Sequence, residues 1–420
     1  MTSLHHSERR ASSGRRGRGA AAFAMASVVL ALTAPSAGAA GPRTSSVGCD
    51  SARGAVVDSL GVLTQRHGLA GAAVEVVDGR CGTWSAARGV ADLGTGRPMN
   101  ATDRLRIGSV TKTFTATVVV QLAAEGRIGL DAPVERYLPG LIRGNGHDGR
   151  RITVRQLLQH TSGIADHMKA FTDRPVSEWR YRHFEARELI ATALELPRPD
   201  KKWHYSTTNT LIAGLIVEKV TGRGVEAEVT RRIIKPLGLR DTHWPGDDIR
   251  IRGPHSRSYF TGADAPDGTH PARVDGTEWN VTLGGAGGAL VSTPSDVNRF
   301  FGALFGGKLL PARWLAEMKR TVPADPERLW PGARYGLALV GSPLECGGWW
   351  WGHGGTTPGG HRALGAVGPG GRSISLALNE VPGTTQAEED LRAVVSTAFC
   401  ADRIERTARI DRPDHVKETP

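Results

Sequence analysis

The sequence predicts an α/β fold: an antiparallel sheet built from both ends of the chain and flanked by helices, with a mainly helical lobe inserted in the middle. Three observations predict it. A β-rich run from Ala70 to Val77, the turn pair Asp78-Gly79 and a second run from Arg80 to Ala87 read as a hairpin. Strand-like runs return only late, at 336–340, 362–367 and 373–378. Between them, apolar residues recur mostly at helical spacing, joined by Gly- and Pro-rich loops. The 420 residues exceed the roughly 100–200 of an ordinary domain, so the chain can form two lobes.

Taken in order, the chain opens with Arg9, Arg10, Arg15, Arg16 and Arg18, an apolar run from Ala20 to Ala34, and the small residues Ala37-Gly38-Ala39. This is the pattern of a cleavable export signal over residues 1–39, so a secreted, extracellular protein is expected. The apolar run is shorter than the ~20 residues of a membrane span, so no stable membrane anchor is expected. The residues do not decide between Sec and twin-arginine export. A catalytic domain is expected over residues 40–402, with an α/β lobe at 45–125 and 285–402 and a helical lobe at 126–284.

Asp50 can cap a helix in which Ala52, Val56, Leu60 and Leu63 share one face, and Gly68 can end it. The hairpin follows. From Ser109 to Gly126, Phe114, Val118 and Leu122 recur at helical spacing, placing Ser109 at the start of a buried helix. Residues 154–159, 186–196, 210–220 and 225–234 read as further helices, and a last one covers 387–399. Residues 403–420, rich in Arg, Asp and Pro without apolar periodicity, are expected to be a disordered tail.

Cys49 at the first helix start and Cys81 past the hairpin turn can meet across helix and sheet, and Cys346 and Cys400 can tie the last helix to the late strands. An exported chain can keep both bonds. Neither CxxC nor HExxH is present, so neither metal nor cofactor is expected. The formal net charge is +11; without residues 1–39, which hold five arginines and one glutamate, it is +7. This mild, scattered excess lacks the aromatic-interleaved basic stripe of a nucleic-acid binder, and no nucleic-acid partner is expected.

Three motifs carry chemistry. In Ser109-Val110-Thr111-Lys112 the two polar side chains are neighbours on a helix, so the lysine amine can take the serine proton, while the Ser109 N–H at the helix start can donate to an oxyanion. Tyr205-Ser206-Thr207-Thr208-Asn209 supplies a phenol able to relay a proton and an amide able to orient a substrate. Gly352-His353-Gly354-Gly355-Thr356 offers glycines against which a substrate backbone can lie, a histidine donor that can be cationic, and a threonine with a hydroxyl and a second oxyanion N–H.

With these motifs the sequence resembles the serine β-lactamase and penicillin-binding protein superfamily, in the branch of class C β-lactamases, secreted D-alanyl-D-alanine carboxypeptidases, D-aminopeptidases and related esterases. The resemblance runs from about Cys49 to Cys400 and includes Gly126 to Val134, Ile152 to Gly163, Pro236 to Leu239 and Gly287 to Thr293. It implies the β-lactamase/DD-peptidase fold and an acyl-enzyme on Ser109, with Lys112 and Tyr205 handling protons and the N–H groups of Ser109 and Thr356 forming the oxyanion hole. His160-Thr161-Ser162-Gly163 is read as a structural turn.

Two positions depart from the family pattern. Thr207 stands where the second motif usually has asparagine, so Asn209 is expected to substitute or amide recognition to weaken. Gly354 stands where many peptidases have a hydroxyl residue, with Thr356 as the candidate replacement. The reading favoured is a D-Ala-D-Ala carboxypeptidase or transpeptidase, with Ser109, Lys112 and Tyr205 catalytic and Thr207, Asn209, His353, Gly354, Gly355 and Thr356 binding substrate. The expected partner is a small peptide or β-lactam, with cell-wall peptidoglycan as a further candidate. A β-lactamase-family esterase, D-aminopeptidase or β-lactamase is the alternative, and a catalytically poor binding protein is the third reading.

Overall fold

Gly71–Asp78 (β1) and Gly82–Asp92 (β2) form the expected hairpin, with Asp78 opposite Gly82. The Asp78 carboxylate accepts the N–H groups of Arg80 (2.7 Å) and Cys81 (3.2 Å), which fixes the turn. The structure, a computed structural model, describes residues 46–172, 174–261 and 273–410. The expected leader lies outside the described residues, as does the chain beyond Ile410.

The hairpin joins Arg97–Pro98 (β3) and six later strands: Val322–Pro323 (β4), Arg334–Tyr335 (β5), Val340–Pro343 (β6), Trp349–Thr356 (β7), Arg362–Val367 (β8) and Ser373–Leu378 (β9). Their order is β4-β5-β6-β7-β8-β9-β1-β2-β3, and every neighbouring pair is antiparallel. Early and late sequence therefore meet at the β9–β1 seam, where Ala73 faces Ala377.

Strand alternation separates two cores. Val74, Val76, Ile374 and Leu376 point to one face and bury against Ser46–Gly61 (α1) and Thr385–Ile410 (α7), through Val56, Leu60, Leu391 and Val395. Ala73, Ala363 and Ala377 belong to the other core, with Thr111–Ala124 (α2) and the inserted helices Val154–Gln159 (α3), Ala186–Glu195 (α4) and Thr207–Thr221 (α5), followed in the chain by Pro294–Phe305 (α6). Phe114 of α2 stacks on Phe300 of α6, ring centroids 3.7 Å apart.

Cys49–Cys81 and Cys346–Cys400 are both bonded, each with Cα atoms 5.6 Å apart. Two expectations need correction. The strand expected at 336–340 is mostly a turn: Gly336 N donates to Leu339 O (2.7 Å) and Ala338 takes a φ of 52°, so pairing resumes only at Val340. The last helix does not stop at Phe399. It runs to Ile410.

Candidate active site

Ser109 sits in a single 3-10 turn, Gly108–Val110, that leads directly into α2. The turn is anchored from behind: Ile107 N donates to Leu290 O (3.0 Å) and Leu290 N to Thr111 Oγ1 (3.2 Å). The serine is thus held half-buried at a helix entrance, where backbone N–H groups have no partner within the helix.

One helical turn on, Lys112 is fully buried. Its Nζ lies 3.0 Å from Ser109 Oγ, 2.9 Å from Gly287 O and 3.3 Å from Thr207 Oγ1. A neutral amine has two N–H bonds and one lone pair. The carbonyl and the threonine can take the two N–H bonds, leaving the lone pair to accept the serine proton. Lys112 Nζ also lies 5.1 Å from the Tyr205 ring centre, and the Arg328 guanidinium lies 4.7 Å from the same centre.

The third motif is the second half of β7. Gly352 still pairs with Val340 of β6, but from His353 to Thr356 the strand pairs only with β8, and its other edge meets the serine turn. The approach is close. A Cβ on Gly355 would lie 2.0 Å from Ile107 O and 2.7 Å from Ser109 N, and one on Gly108 would lie 2.7 Å from Thr356 O, so both positions exclude a side chain. This contact brings the backbone of Thr356 against the serine turn. Ser109, Tyr205, His353, Gly354 and Thr356 line one cavity of about 600 Å³, which Arg328 also borders. A larger opening of about 1000 Å³, between His147 and Ala324, contains none of them.

His353 borders the cavity but is otherwise buried, and its surroundings disfavour the cationic form. Burial, reinforced by the Lys112 charge, pushes its pKa down to about 3. Its Nε2 is 2.8 Å from Tyr335 Oη and its Nδ1 is 2.5 Å from Gly354 O. Tyr335 Oη is in turn 3.2 Å from Nε2 of His160, a residue with φ of 61° at the C-terminal cap of α3.

Asn209 does not reach the cavity. Helix α5 begins at Thr207, three residues earlier than expected, and Asn209 is therefore turned by roughly 200° from it about the helix axis. Asn209 is fully buried, accepting from Ser162 Oγ (2.6 Å) and contacting His160 Nδ1 (3.2 Å). Thr207 keeps to the lysine, and its hydroxyl is 3.4 Å from Asp166 Oδ2. The Thr356 hydroxyl accepts from Arg362 Nη1 (3.1 Å), and Arg362 is paired with Glu388 (3.2 Å).

The sequence reading did not single out Tyr335, Asp166, Arg328 or the Gly287 carbonyl. The first lies in an unremarkable Arg-Tyr-Gly, and a backbone acceptor has no sequence signal. Asp166 alone left a trace, a carboxylate three residues after Gly163.

A family model described as Beta-lactamase matches residues 56–399. Penicillin-binding protein 4 of Amycolatopsis lactamdurans is 34% identical over 57% of this chain and 60% of that protein, so the match spans under two thirds of that relative's length. The crystal structure of a D-stereospecific amidohydrolase from Streptomyces sp. superposes with a TM-score of 0.73 at 40% identity, covering 83% of this chain and 98% of that one. The D-amino acid amidase from Ochrobactrum anthropi SV3, complexed with L-phenylalanine amide, gives 0.71 at 26% identity, covering 84% and 99%.

Proposed function

Because the chain belongs to the beta-lactamase family and is a serine hydrolase of it, we propose that it cleaves amide bonds on the carboxyl side of a D-amino acid through an acyl-enzyme on Ser109. One observation carries the chemistry: Lys112 Nζ lies 3.0 Å from Ser109 Oγ and has two further acceptors, so that in the neutral form of the amine both N–H bonds are taken up and the lone pair faces the serine proton. The 40% identity to a D-stereospecific amidohydrolase over 83% of the chain favours the substrate class.

Ser109 Oγ attacks the carbonyl carbon as its proton passes to Lys112, and the carbonyl oxygen takes the negative charge against the Ser109 and Thr356 N–H groups. The C–N bond then breaks, and the leaving amine takes a proton delivered through Tyr205. Water attacks the resulting ester, returns its proton through Lys112 and Tyr205, and releases the D-amino acid or peptide acid.

A second reading, a D-Ala-D-Ala carboxypeptidase, is favoured by Arg328. Its neighbours Asp325 and Glu327 are both held by Lys201 (2.7 Å each), and Arg328 itself has no acidic partner among the described residues. A guanidinium left uncommitted at the cavity suits a substrate carboxylate. Secretion remains part of the proposal: both disulfides suit an oxidising compartment.

The test is the rate of ammonia release from D-alaninamide and from L-alaninamide, alongside D-alanine release from a Lys-D-Ala-D-Ala peptide. Cleavage of the D-amide with little of the L-amide supports the first reading, and cleavage of the peptide alone supports the second. Hydrolysis of neither, beside turnover of a simple ester, contradicts both.

A further inference from the structure

The hydrogen bonds behind the cavity form a chain whose two ends admit only one polarity. At one end, Gly354 O is a carbonyl and only accepts, so the His353 Nδ1 at 2.5 Å carries a proton. At the other end, Ser206 N is a backbone N–H and only donates, so the His160 Nδ1 at 3.3 Å is bare and accepts, from Asn209 Nδ2 (3.2 Å) as well. With each ring neutral, His160 carries its proton on Nε2 and gives it to Tyr335 Oη (3.2 Å), and Tyr335 gives its own to His353 Nε2 (2.8 Å). Every donor meets an acceptor, and the chain runs one way from the N-terminal cap of α5 to β7.

Neutrality suits the surroundings. His160, Tyr335 and His353 are all buried. Burial holds both histidines well below the usual imidazole range and Tyr335 above the usual phenol range. The charged groups around His353 are Lys112 on α2, Arg362 on β8 and Arg328 on the 325–331 segment. Each opposes a further positive charge on the ring.

We infer that Tyr335 is a positioning residue for the reaction: it locks His353 as the neutral Nδ1–H form and ties the strand that carries the Thr356 N–H to the helix start that carries Tyr205 and Thr207. The role rests on the proposed acyl-enzyme only in its kinetic part; the proton positions stand on geometry alone. Because Thr356 N–H is used when charge develops on the carbonyl oxygen, a shift of β7 falls on kcat rather than KM.

The experiment has two arms. In the first, long-range ¹⁵N–¹H correlation spectra of the full chain labelled at histidine, at pH 7, are assigned with His353→Asn and His160→Asn. His353 protonated on Nδ1 and His160 protonated on Nε2, both neutral, is the expected result; an Nε2–H His353 or a cationic ring on either overturns the inference. In the second, Tyr335→Phe is expected to lower kcat on the order of tenfold with KM nearly unchanged, since it leaves a buried donor and a buried acceptor unpaired. It is also expected to move the His353 nitrogen shifts. A lower melting temperature with wild-type kcat makes Tyr335 merely structural and overturns the positioning role. If no amide or ester is turned over by wild type, the functional proposal fails, while the first arm still decides the proton positions.

Discussion

Thr207 shows how one side chain redefines a site. Its hydroxyl sits between Lys112 Nζ (3.3 Å) and Asp166 Oδ2 (3.4 Å), so it orients the amine by accepting from it while donating to the carboxylate. Thr207→Val keeps the shape and removes both bonds. It is expected to lower kcat/KM on the order of tenfold while leaving the melting temperature within a few degrees, and Thr207→Ser should restore most of the rate. Steady-state kinetics on the preferred substrate check this. That Ser109 and Lys112 are neighbours was legible in the sequence because three residues of helix is a fixed geometry, which four residues suffice to state. The charge of His353 was not, because it depends on burial and on Lys112, remote in sequence. Asn209 was misread for a local reason: with α5 starting at Thr207 rather than Thr210, the amide turns into the lobe and bonds to Ser162.

Between elements, the site depends on β7 lying against the serine turn and on α7 holding the sheet. Gly355→Ala places a methyl 2.0 Å from Ile107 O, a backbone atom that cannot swing away. The variant is expected to lose stability by on the order of 2 kcal/mol or more and to lose nearly all activity, as denaturant unfolding and kinetics would register. The Cys346–Cys400 bond spans 54 residues and ties α7 to the strands it covers. In the chain-entropy account a closed loop of that length contributes about 4 kcal/mol. The Cys346→Ser/Cys400→Ser pair should therefore unfold at a markedly lower denaturant concentration, with a steeper unfolding slope because the unlinked denatured chain exposes more surface. The early hairpin, the late strands β8 and β9 and both disulfides were legible from turn residues, alternation and the location of the cysteines. The turn at 336–339 was not, since its positive φ falls on Ala338, a residue that carries no turn signal.

At the scale of the whole molecule, buried neutral histidines make stability depend on pH. His353 and His361 are both held near a pKa of about 3, chiefly by burial, against an ordinary value of 6.5. Between those values the unfolded chain binds protons that the folded one does not, so stability rises with pH through that window and falls as pH drops from about 6.5 toward 3. Glu228, lowered to about 2 from 4.5 beside Arg231 and Arg232, loses its contribution only below about 4.5. Chemical denaturation at pH 7.0, 5.5 and 4.8 isolates the histidines: a progressive loss is expected, and a flat profile contradicts the neutral, buried assignment. The two-ended sheet and inserted lobe were legible from where strand and helix periodicities fall. Which polar groups face the cavity was not, because three distant segments, at Ser109, Thr207 and His353, converge on it only once the layers pack.

The most direct test of the central claim, that Ser109 receives the acyl group, is intact mass spectrometry of the protein after incubation with a penicillin, followed over time beside Ser109→Ala. A single β-lactam-sized adduct on the wild type, absent from the variant, is the predicted result, and its lifetime measures deacylation. An adduct of the same mass on Ser109→Ala would show that another group is acylated. Loss of the penicillin at equal rates with both proteins would contradict the assignment of Ser109 altogether.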